Sequence, residues 1–215
     1  MNTEIQTPPG KFIVIEGLDG SGITEQTELI REWLRHEDFD LNRVSFTHEP
    51  SDGPVGLMLD LVMQGRMDMD EETIALLFAA DRRDHLTRFV LPRMEKGIHV
   101  VSERYYLSFY AYQAGQGLSM EWLRTIGKTW RRPDLVIVLD TPLEQCLTNI
   151  NKRFSISRYE KEKTLQKTWD EFRRLIAALR HDGEKIHLVD GRDGGQPVHA
   201  RILPLVQELL FLEGA

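Results

Sequence analysis

Eight residues near the start of the sequence form a glycine-rich segment that can hold phosphate groups. The segment reads Gly-Leu-Asp-Gly-Ser-Gly-Ile-Thr over residues 17–24 and directly follows an apolar run at residues 12–15. Glycines permit a tight loop whose backbone N–H groups point at an anion, and the helix that follows adds partial positive charge. Thr24 offers a hydroxyl for Mg²⁺. The expected phosphate-binding residues are Gly17, Gly20, Ser21, Gly22, Ile23 and Thr24.

One position of this segment departs from the usual phosphate-loop pattern. The pattern G-x-x-x-x-G-K-[ST] has a lysine where this chain has Ile23. Isoleucine can neither bridge phosphates nor follow charge onto a moving phosphoryl group, so the segment argues for nucleotide binding more than for catalysis. The alternative is a glycine-rich turn that binds no ligand. The position of the segment, between an apolar strand and a helical pattern, favours phosphate binding.

The elements that must position this loop alternate along the chain. Apolar runs at residues 12–15, 44–46, 99–101, 135–139 and 186–189 predict five strands. The helical patterns between them lie at residues 25–35, 55–63, 71–96 (divided at Pro92), 120–130, 143–152, 159–180 and 198–212. Continuous apolar strands separated by helices predict an α/β protein with a parallel sheet covered on both faces. Ligands bind beyond the carboxyl ends of such strands, so the residues that follow each run are the site candidates.

Composition and charge exclude several classes of protein. The chain has 215 residues, of which 41% are hydrophobic, and this predicts a single domain over residues 11–215 after an extended or disordered start at residues 1–10. With 27 basic and 34 acidic residues the net charge is −7, which argues against a nucleic-acid partner. The chain has one cysteine, no apolar stretch of about 20 residues and no signal-peptide pattern, so we expect a cytoplasmic protein without membrane contact.

Seven short motifs, in their order and spacing, resemble the thymidylate kinase family from Lys11 to about Leu212. They are Phe-Ile-Val-Ile-Glu-Gly-Leu-Asp-Gly-Ser-Gly at 12–22, Glu-Pro at 49–50, Leu-Phe-Ala-Ala-Asp-Arg at 77–82, Glu-Arg-Tyr at 103–105, Ala-Tyr-Gln at 111–113, Arg-Pro-Asp at 132–134 and Arg-Tyr-Glu at 158–160. The resemblance implies a P-loop kinase fold with a five-stranded parallel sheet and a short lid. It also implies transfer of the γ-phosphoryl group of ATP to dTMP with Mg²⁺ as cofactor, and a homodimer.

The resemblance assigns the acceptor pocket to a small set of side chains. Phe78 would stack on thymine, and Arg82, one helical turn later, would hydrogen-bond the edge of the base. Tyr112 would crowd the sugar 2′ position and so favour deoxyribose. The alternatives are a core phenylalanine, a surface arginine and a packed tyrosine, all of which are common on helices. The other pocket residues that the resemblance implies are Glu49, Pro50 and Gln113.

The resemblance also implies a group of catalytic and metal-binding residues at the loop. Arg104 would hold the acceptor phosphate, for which a planar guanidinium is suited. Asp19 would orient the acceptor end of the reaction, or alternatively cap the following helix. Glu103, which precedes Arg104, would join Thr24 at the metal ion.

Two further arginines bracket the short lid of the resemblance. Arg153 and Arg158 enclose residues 153–158, and lid arginines of the family reach the transferred phosphate. Phosphoryl transfer needs positive charge around the equatorial oxygens more than it needs one lysine, so either arginine could take the place of the lysine that Ile23 replaces. The alternative is a pair of solvated surface arginines.

A few positions differ from the pattern of the family. Glu25 replaces a small hydroxyl residue, His48 and Asp60 stand at positions that are arginine in many relatives, and Phe109 fills a position that is more often polar. The lost positive charges leave three functions open. These are a thymidylate kinase, which we favour, a kinase for another nucleoside monophosphate, and a catalytically weak pseudokinase that binds nucleotide.

Overall fold

A five-stranded parallel sheet forms the centre of the protein in a computed structural model that describes residues 9–152 and 158–212. The strands are β1 (Phe12–Gly17), β2 (Val44–His48), β3 (His99–Glu103), β4 (Leu135–Asp140) and β5 (Ile186–Asp190). Their order is β2-β3-β1-β4-β5, and every neighbouring pair is parallel. The predicted fold class and the five predicted strands are therefore confirmed.

Helices cover both faces of this sheet. Within the described ranges they are α1 (Ile23–His36), α2 (Pro54–Met63), α3 (Glu71–His85), α4 (Leu91–Glu95), α5 (Tyr106–Gly115), α6 (Met120–Ile126), α7 (Leu143–Asn151), α8 (Glu162–His181) and α9 (Gly195–Gln207). Successive residues of β1 face opposite cores, because side chains alternate along a strand. Phe12 and Val14 pack in the core with α3, α5 and α8, whereas Ile13 and Ile15 pack in the core with α1 and α9.

The long helical pattern at residues 71–96 is one continuous element, and the predicted division at Pro92 is wrong. A wide π-turn over Leu86–Val90 joins α3 to α4, and the N–H of Leu91 donates to the carbonyl of Leu86. Proline removes one helical hydrogen bond and clashes with the carbonyl four residues earlier. The wider turn before Pro92 relieves this conflict without breaking the helix.

Helix α5 is absent from the helices that the sequence predicts. Its residues 106–113 are all buried, so they lack the alternation of polar and apolar faces that reveals a surface helix. The side chain of its N-cap residue, Tyr105, makes no capping hydrogen bond with the described residues. Instead Glu16 of β1 accepts hydrogen bonds from the N–H groups of Tyr105 and Ser108. Burial raises the pKa of Glu16. The side chain of a strand residue distant in sequence therefore caps the start of this helix.

The ends of several other elements differ slightly from the prediction. The helix expected from Tyr159 begins at Glu162, and the last helix begins at Gly195 and ends in a π-turn over Glu208–Leu212. Most of the predicted extended start, residues 1–8, lies outside the described residues. Among the helices of the described ranges, none is long and apolar enough to cross a membrane.

Candidate active site

The glycine-rich segment forms a loop between β1 and α1, as predicted. Gly20 and Gly22 adopt φ angles of 78° and 101°, a region that other residues rarely enter. A side-chain carbon at Gly20 would lie 2.4 Å from the carbonyl oxygen of Cys146, so the loop has no room for one. Asn149 and Thr141 donate to the carbonyls of Gly20 and Ser21 at 2.9 Å each. The loop is therefore held in place from the β4 side.

The loop presents the first turn of α1 to the carboxyl edge of the sheet. Gly22 occupies the N-cap position of this helix, and no side chain of the described residues caps it. The Asp19 carboxylate binds Arg104 and Tyr112 instead, so its alternative role as a helix cap is wrong. An uncapped helix N-terminus attracts anions because its N–H groups are unpaired and its dipole is positive there. A nucleotide phosphate is the ligand that suits this end.

Thr24 and Glu103 meet at the edge of the loop, as the metal assignment requires. The Thr24 hydroxyl donates to Oε2 of Glu103 over 2.7 Å, and both residues line the cleft above the loop. Mg²⁺ prefers oxygen ligands and is usually bound by one or two of them together with substrate phosphates. The described residues contain no group of three His, Cys, Asp or Glu side chains that could hold a metal alone. Thr24 and Glu103 thus fit a magnesium ion that arrives with a nucleotide.

Ile23 contributes to the core and brings no charge to the phosphates. Its side chain is 6% exposed and packs with Ile30 and Val198 in the core on the α1 side. Glu25, one turn of helix from Gly22, accepts a hydrogen bond from the N–H of Gly195 at 3.1 Å. The unusual glutamate therefore ties α1 to the start of α9, and it also lines the cleft above the loop.

Asp19, Arg104 and Tyr112 form one connected cluster between the loop and the neighbouring pocket. Arg104 Nη2 donates to Oδ1 of Asp19 at 2.7 Å, and the Tyr112 hydroxyl donates to Oδ2 at 2.7 Å. Arg104 Nη1 also donates to the Gly17 carbonyl and to Ser108, each at 3.1 Å. These contacts with described residues use three of the five guanidinium N–H donors, so donors remain for an anion.

The charges in this cluster stabilise one another. Burial opposes the charge of Arg104, but the Asp19 carboxylate and then Tyr112 and Glu16 outweigh it, and the pKa of Arg104 lies above its usual value. Burial and the Asp19 carboxylate raise the pKa of Tyr112. Arg104 has a φ of 67°, which is uncommon for a residue other than glycine and is often found at functional sites. The cluster therefore keeps a cation and a neutral phenol beside the phosphate loop.

A mainly apolar pocket adjoins this cluster on the β2 and β3 side. Phe78, Arg82, Tyr112, Gln113 and Pro50 all line it, so the structure brings the predicted acceptor residues together. The complete lining is Asp19, Glu49, Pro50, Met63, Phe78, Arg82, Arg104, Ser108, Phe109, Tyr112, Gln113 and Tyr159. The pocket shares Asp19 and Arg104 with the cleft above the loop, so the two cavities meet at these residues.

Arg82 is more deeply buried than a surface arginine. It is 2% exposed, and Oε2 of Glu49 lies 2.6 Å from both Nε and Nη2. Nη2 also donates to the carbonyl of Tyr105 at 3.0 Å, and the guanidinium carbon lies 4.5 Å from the ring centre of Trp130. Glu49 thus holds the Arg82 guanidinium in place. The family motif did not reveal this contact.

Two residues that line this pocket each have a buried polar atom without a hydrogen-bond partner among the described residues. These atoms are Nη1 of Arg82, a donor, and Oε1 of Gln113, an acceptor. Arg82 is 2% exposed and Gln113 is 1% exposed. An unpaired buried polar group costs about 1–3 kcal/mol, so a ligand that satisfies both atoms gains from the contact.

The structure describes one of the two lid arginines, Arg158. Arg153 lies outside the described residues. Arg158 contacts the carboxylates of Asp68 and Glu71, at 3.1 Å and 3.0 Å, so its charge is paired beside the start of α3. Arg158 lines neither the acceptor pocket nor the cleft above the loop.

Of the positions near the acceptor that differ from the family pattern, Phe109 lines the pocket, whereas His48 and Asp60 do not. His48 binds the carbonyl of Pro50 over 2.6 Å and Asp52 over 3.5 Å. Asp60 is exposed on α2. Partial desolvation of its carboxyl group raises its pKa. Phe109 is buried and packs edge-on against Trp130. These side chains supply no positive charge to replace the arginines of relatives.

Sequence reasoning missed several residues that complete the site. Met63 and Tyr159 line the pocket from α2 and from the segment before α8, and Ser108 joins Arg104 to the buried Glu16. Tyr159 lies inside the Arg-Tyr-Glu motif at 158–160, so the sequence contained a signal for it. The others had no signal, because their proximity depends on which helices pack together.

The loop, its threonine hydroxyl and the adjoining pocket place the chain among the P-loop kinases. The thymidylate kinase family model matches residues 15–202. A protein from Pyrococcus abyssi named "Probable thymidylate kinase" is 37% identical over 209 residues, covering 94% of this chain and 99% of that protein. One of the same name from Thermococcus kodakarensis is 33% identical over 207 residues, covering 93% and 98%. The chain belongs to the thymidylate kinase family.

Solved structures agree with this fold. The thymidylate kinase of Candida albicans superposes with a TM-score of 0.77 at 22% identity, covering 93% of this chain and 92% of that one. The thymidylate kinase of Ehrlichia chaffeensis gives a TM-score of 0.73 at 23% identity, covering 93% and 99%. The P-loop kinase fold expected from the sequence is therefore confirmed.

Proposed function

We propose that this protein transfers the γ-phosphoryl group of ATP, bound with Mg²⁺, to dTMP and releases dTDP and ADP. The observation that carries the proposal is the pocket beside the phosphate loop, which is lined by Phe78 and by two residues, Arg82 and Gln113, that hold an unpaired buried donor and an unpaired buried acceptor. Family membership and the curated relatives' names support the same reaction. The absent lysine affects the rate of transfer more than the identity of the substrates.

The proposed roles of the loop residues follow from their contacts. The loop amides and the N-terminus of α1 bind the donor phosphates, and Thr24 with Glu103 would hold the magnesium ion. Magnesium would neutralise charge on the transferring group. Arg104 binds the acceptor phosphate with its remaining donors, and Asp19 keeps Arg104 and Tyr112 in position. The loop cleft and the pocket share Asp19 and Arg104, so donor and acceptor meet there.

The pocket has the polarity of a thymine edge. Thymine presents a carbonyl oxygen at C4 and a donor at N3, whereas cytosine presents an amino group at C4 and an acceptor at N3. Arginine can only donate, so Nη1 of Arg82 suits the thymine carbonyl and opposes the cytosine amino group. Gln113 Oε1 can accept from N3–H, and Phe78 supplies a stacking face.

Acceptor choice tests this proposal. We expect dTMP to bind more tightly than dCMP by about 1–3 kcal/mol, because dCMP leaves Arg82 Nη1 facing another donor. Calorimetry with both nucleotides, and formation of diphosphate from ATP, Mg²⁺ and a panel of monophosphates, measure preference and turnover. Equal affinity for all monophosphates would contradict the acceptor assignment. Binding of ATP and dTMP without turnover above background would support the pseudokinase alternative.

The proposal includes a homodimer formed through α2 and α3. Leu57, Met58 and Leu61 of α2 and Leu76 of α3 are exposed, at 57%, 40%, 37% and 52%. These two helices pack together, so their outer faces can form one apolar patch. Self-association through one patch gives a twofold symmetric pair. The pocket residues Phe78 and Arg82 lie on the same helix as Leu76 but face the pocket.

Charged substitutions in this patch are expected to separate the dimer. A Leu57→Glu/Leu76→Glu variant should be monomeric in sedimentation analysis, whereas the unmodified chain should be dimeric. Leu41→Glu is the matched control, because Leu41 is also exposed, at 39%, but lies before β2. An unmodified chain that sediments as a monomer at micromolar concentration would overturn the dimer.

The partners in this proposal are small nucleotides rather than nucleic acid, and the proposed location is the cytoplasm. The net charge of −7 opposes a polyanionic partner. Cys146 is buried and free, and burial raises the pKa of its thiol to about 12, so it is an inert thiol. A free cysteine is common in reducing compartments.

A further inference from the structure

A buried histidine behind the acceptor pocket joins two elements of the site. His85, the last residue of α3, is 5% exposed. Its Nε2 lies 2.8 Å from Oγ1 of Thr47 on β2, and its Nδ1 lies 3.1 Å from Oε1 of Glu49. His85 belongs to none of the family motifs in the sequence, and it does not line the pocket. Of its two hydrogen-bond partners, Glu49 lines the pocket and Thr47 does not, so Glu49 is the direct link between His85 and a ligand.

Glu49 is held on both of its carboxylate oxygens. Oε2 pairs with Arg82 at 2.6 Å, and Oε1 pairs with His85 at 3.1 Å. A carboxylate only accepts, so Nδ1 of His85 donates to Glu49, and Nε2 shares a hydrogen bond with the Thr47 hydroxyl. Rotation of the carboxylate would break a charge-assisted hydrogen bond and leave a buried atom unpaired. His85 thus fixes the plane of the carboxylate.

The Glu49 carboxylate, together with the Tyr105 carbonyl that accepts from Nη2, fixes the direction in which the free donor of Arg82 points. Arg82 and His85 are three residues apart on α3, so both reach Glu49 from one face of the helix. The guanidinium is planar, and Glu49 binds its Nε and Nη2 atoms. Nη1, which has no partner among the described residues, then points in the one direction that this pairing allows.

We propose that His85 is a positioning residue for base recognition, because it holds the Glu49 carboxylate that directs Nη1 of Arg82 toward the base. This inference rests on the proposed function, which it deepens by naming the support of the thymine-reading group. His85 touches neither the phosphate loop nor the pocket. Its loss should change the choice between bases and leave the phosphoryl-transfer step largely intact.

Two substitutions at one position separate this role from a general effect on folding. His85→Leu removes both hydrogen bonds, whereas His85→Asn keeps an N–H donor where Nδ1 was. We expect the ratio of dTMP to dCMP affinity to fall about tenfold in His85→Leu, which corresponds to one lost charge-assisted hydrogen bond. The ratio in His85→Asn should stay close to that of the unmodified chain. The KM for dTMP should rise in His85→Leu while kcat at saturating dTMP changes little.

Calorimetric binding of dTMP and dCMP, thermal unfolding and steady-state kinetics give the readouts. A folded His85→Leu variant that keeps the full preference for dTMP overturns the inference alone. An unmodified chain without preference for dTMP overturns the proposed function, and the inference with it. If His85→Leu does not fold, His85→Gln replaces it, because the longer amide can reach Thr47 in place of Nε2 but offers no donor to Glu49 in place of Nδ1. An unchanged affinity ratio in a folded His85→Gln then overturns the inference, and a lowered ratio supports it.

Discussion

An Arg82→Ala variant is expected to lose about 3–5 kcal/mol of folding free energy, because the change leaves Glu49 buried without its cationic partner. Glu49 is 5% exposed and Arg82 is 2% exposed, so each is shielded from bulk water and depends on the other for its charge. The variant should also bind dTMP more weakly by about 1–3 kcal/mol, since the base loses a charged hydrogen-bond donor. Urea unfolding measures the first loss, and calorimetry on folded protein measures the second.

The double variant Arg82→Met/Glu49→Gln separates these two losses. It removes both charges and keeps an oxygen that can accept from His85, so most of the folding free energy should return while dTMP binding stays weak. Arg83→Ala, at an exposed neighbouring position on α3, should leave stability within about 0.5 kcal/mol. If Arg82→Ala unfolds at the same urea concentration as the unmodified chain, the Glu49 pair contributes nothing to folding and the expectation is wrong.

The fold could be predicted wherever burial leaves a local pattern in the sequence. The apolar runs of β1 and β4 are buried on both faces, and each is bounded by polar or glycine residues. Helix α5 left no such pattern, because nearly all its side chains are buried and Glu16, far away in sequence, caps its start. Pro92 misled because the sequence does not show that a wider helical turn can accommodate a proline.

The sequence identified many residues of the pocket but not the contacts that hold those residues in place. The motifs that contain Phe78, Tyr112 and Gln113 gave residues that the structure places in one pocket. Glu49 lines the pocket, but each of its oxygens is already bound by a buried side chain, Arg82 on one side and His85 on the other. Such pairing depends on how β2 and α3 pack together, which no spacing along the chain encodes. His85 escaped prediction for the same reason.

The phosphate cleft carries less positive charge than its motif would supply. Among described residues, the cleft is lined by the carboxylates of Asp19, Glu25 and Glu103 against the single guanidinium of Arg104, which is already paired with Asp19. Magnesium can neutralise part of the donor charge, but the transferring group still needs a cation on its equatorial oxygens. The lid arginines that the family resemblance names are the candidates for that charge.

Substitution of the two lid arginines is expected to give unequal losses of turnover. Arg153→Ala should lower kcat by about 10³-fold while ATP affinity changes little, because the lost charge acts mainly on the transition state. Arg158→Ala should affect kcat much less, since Asp68 and Glu71 already neutralise that guanidinium. Ile23→Lys should raise kcat only modestly, because Arg153 is proposed to supply a cation to the transferring group already. Formation of dTDP from ATP, Mg²⁺ and dTMP, measured beside ATP binding, compares all three variants.

Arg158→Ala is the matched control for Arg153→Ala, because both remove a guanidinium from the same segment of about six residues. Equal losses in the two variants would mean that Arg158 leaves its carboxylates during the reaction and shares the role. A large rise in kcat for Ile23→Lys with no loss in Arg153→Ala would show that no lid arginine replaces the lysine. In that case the loop of the unmodified protein binds nucleotide through its amides alone, and the missing charge sets the limit on its rate.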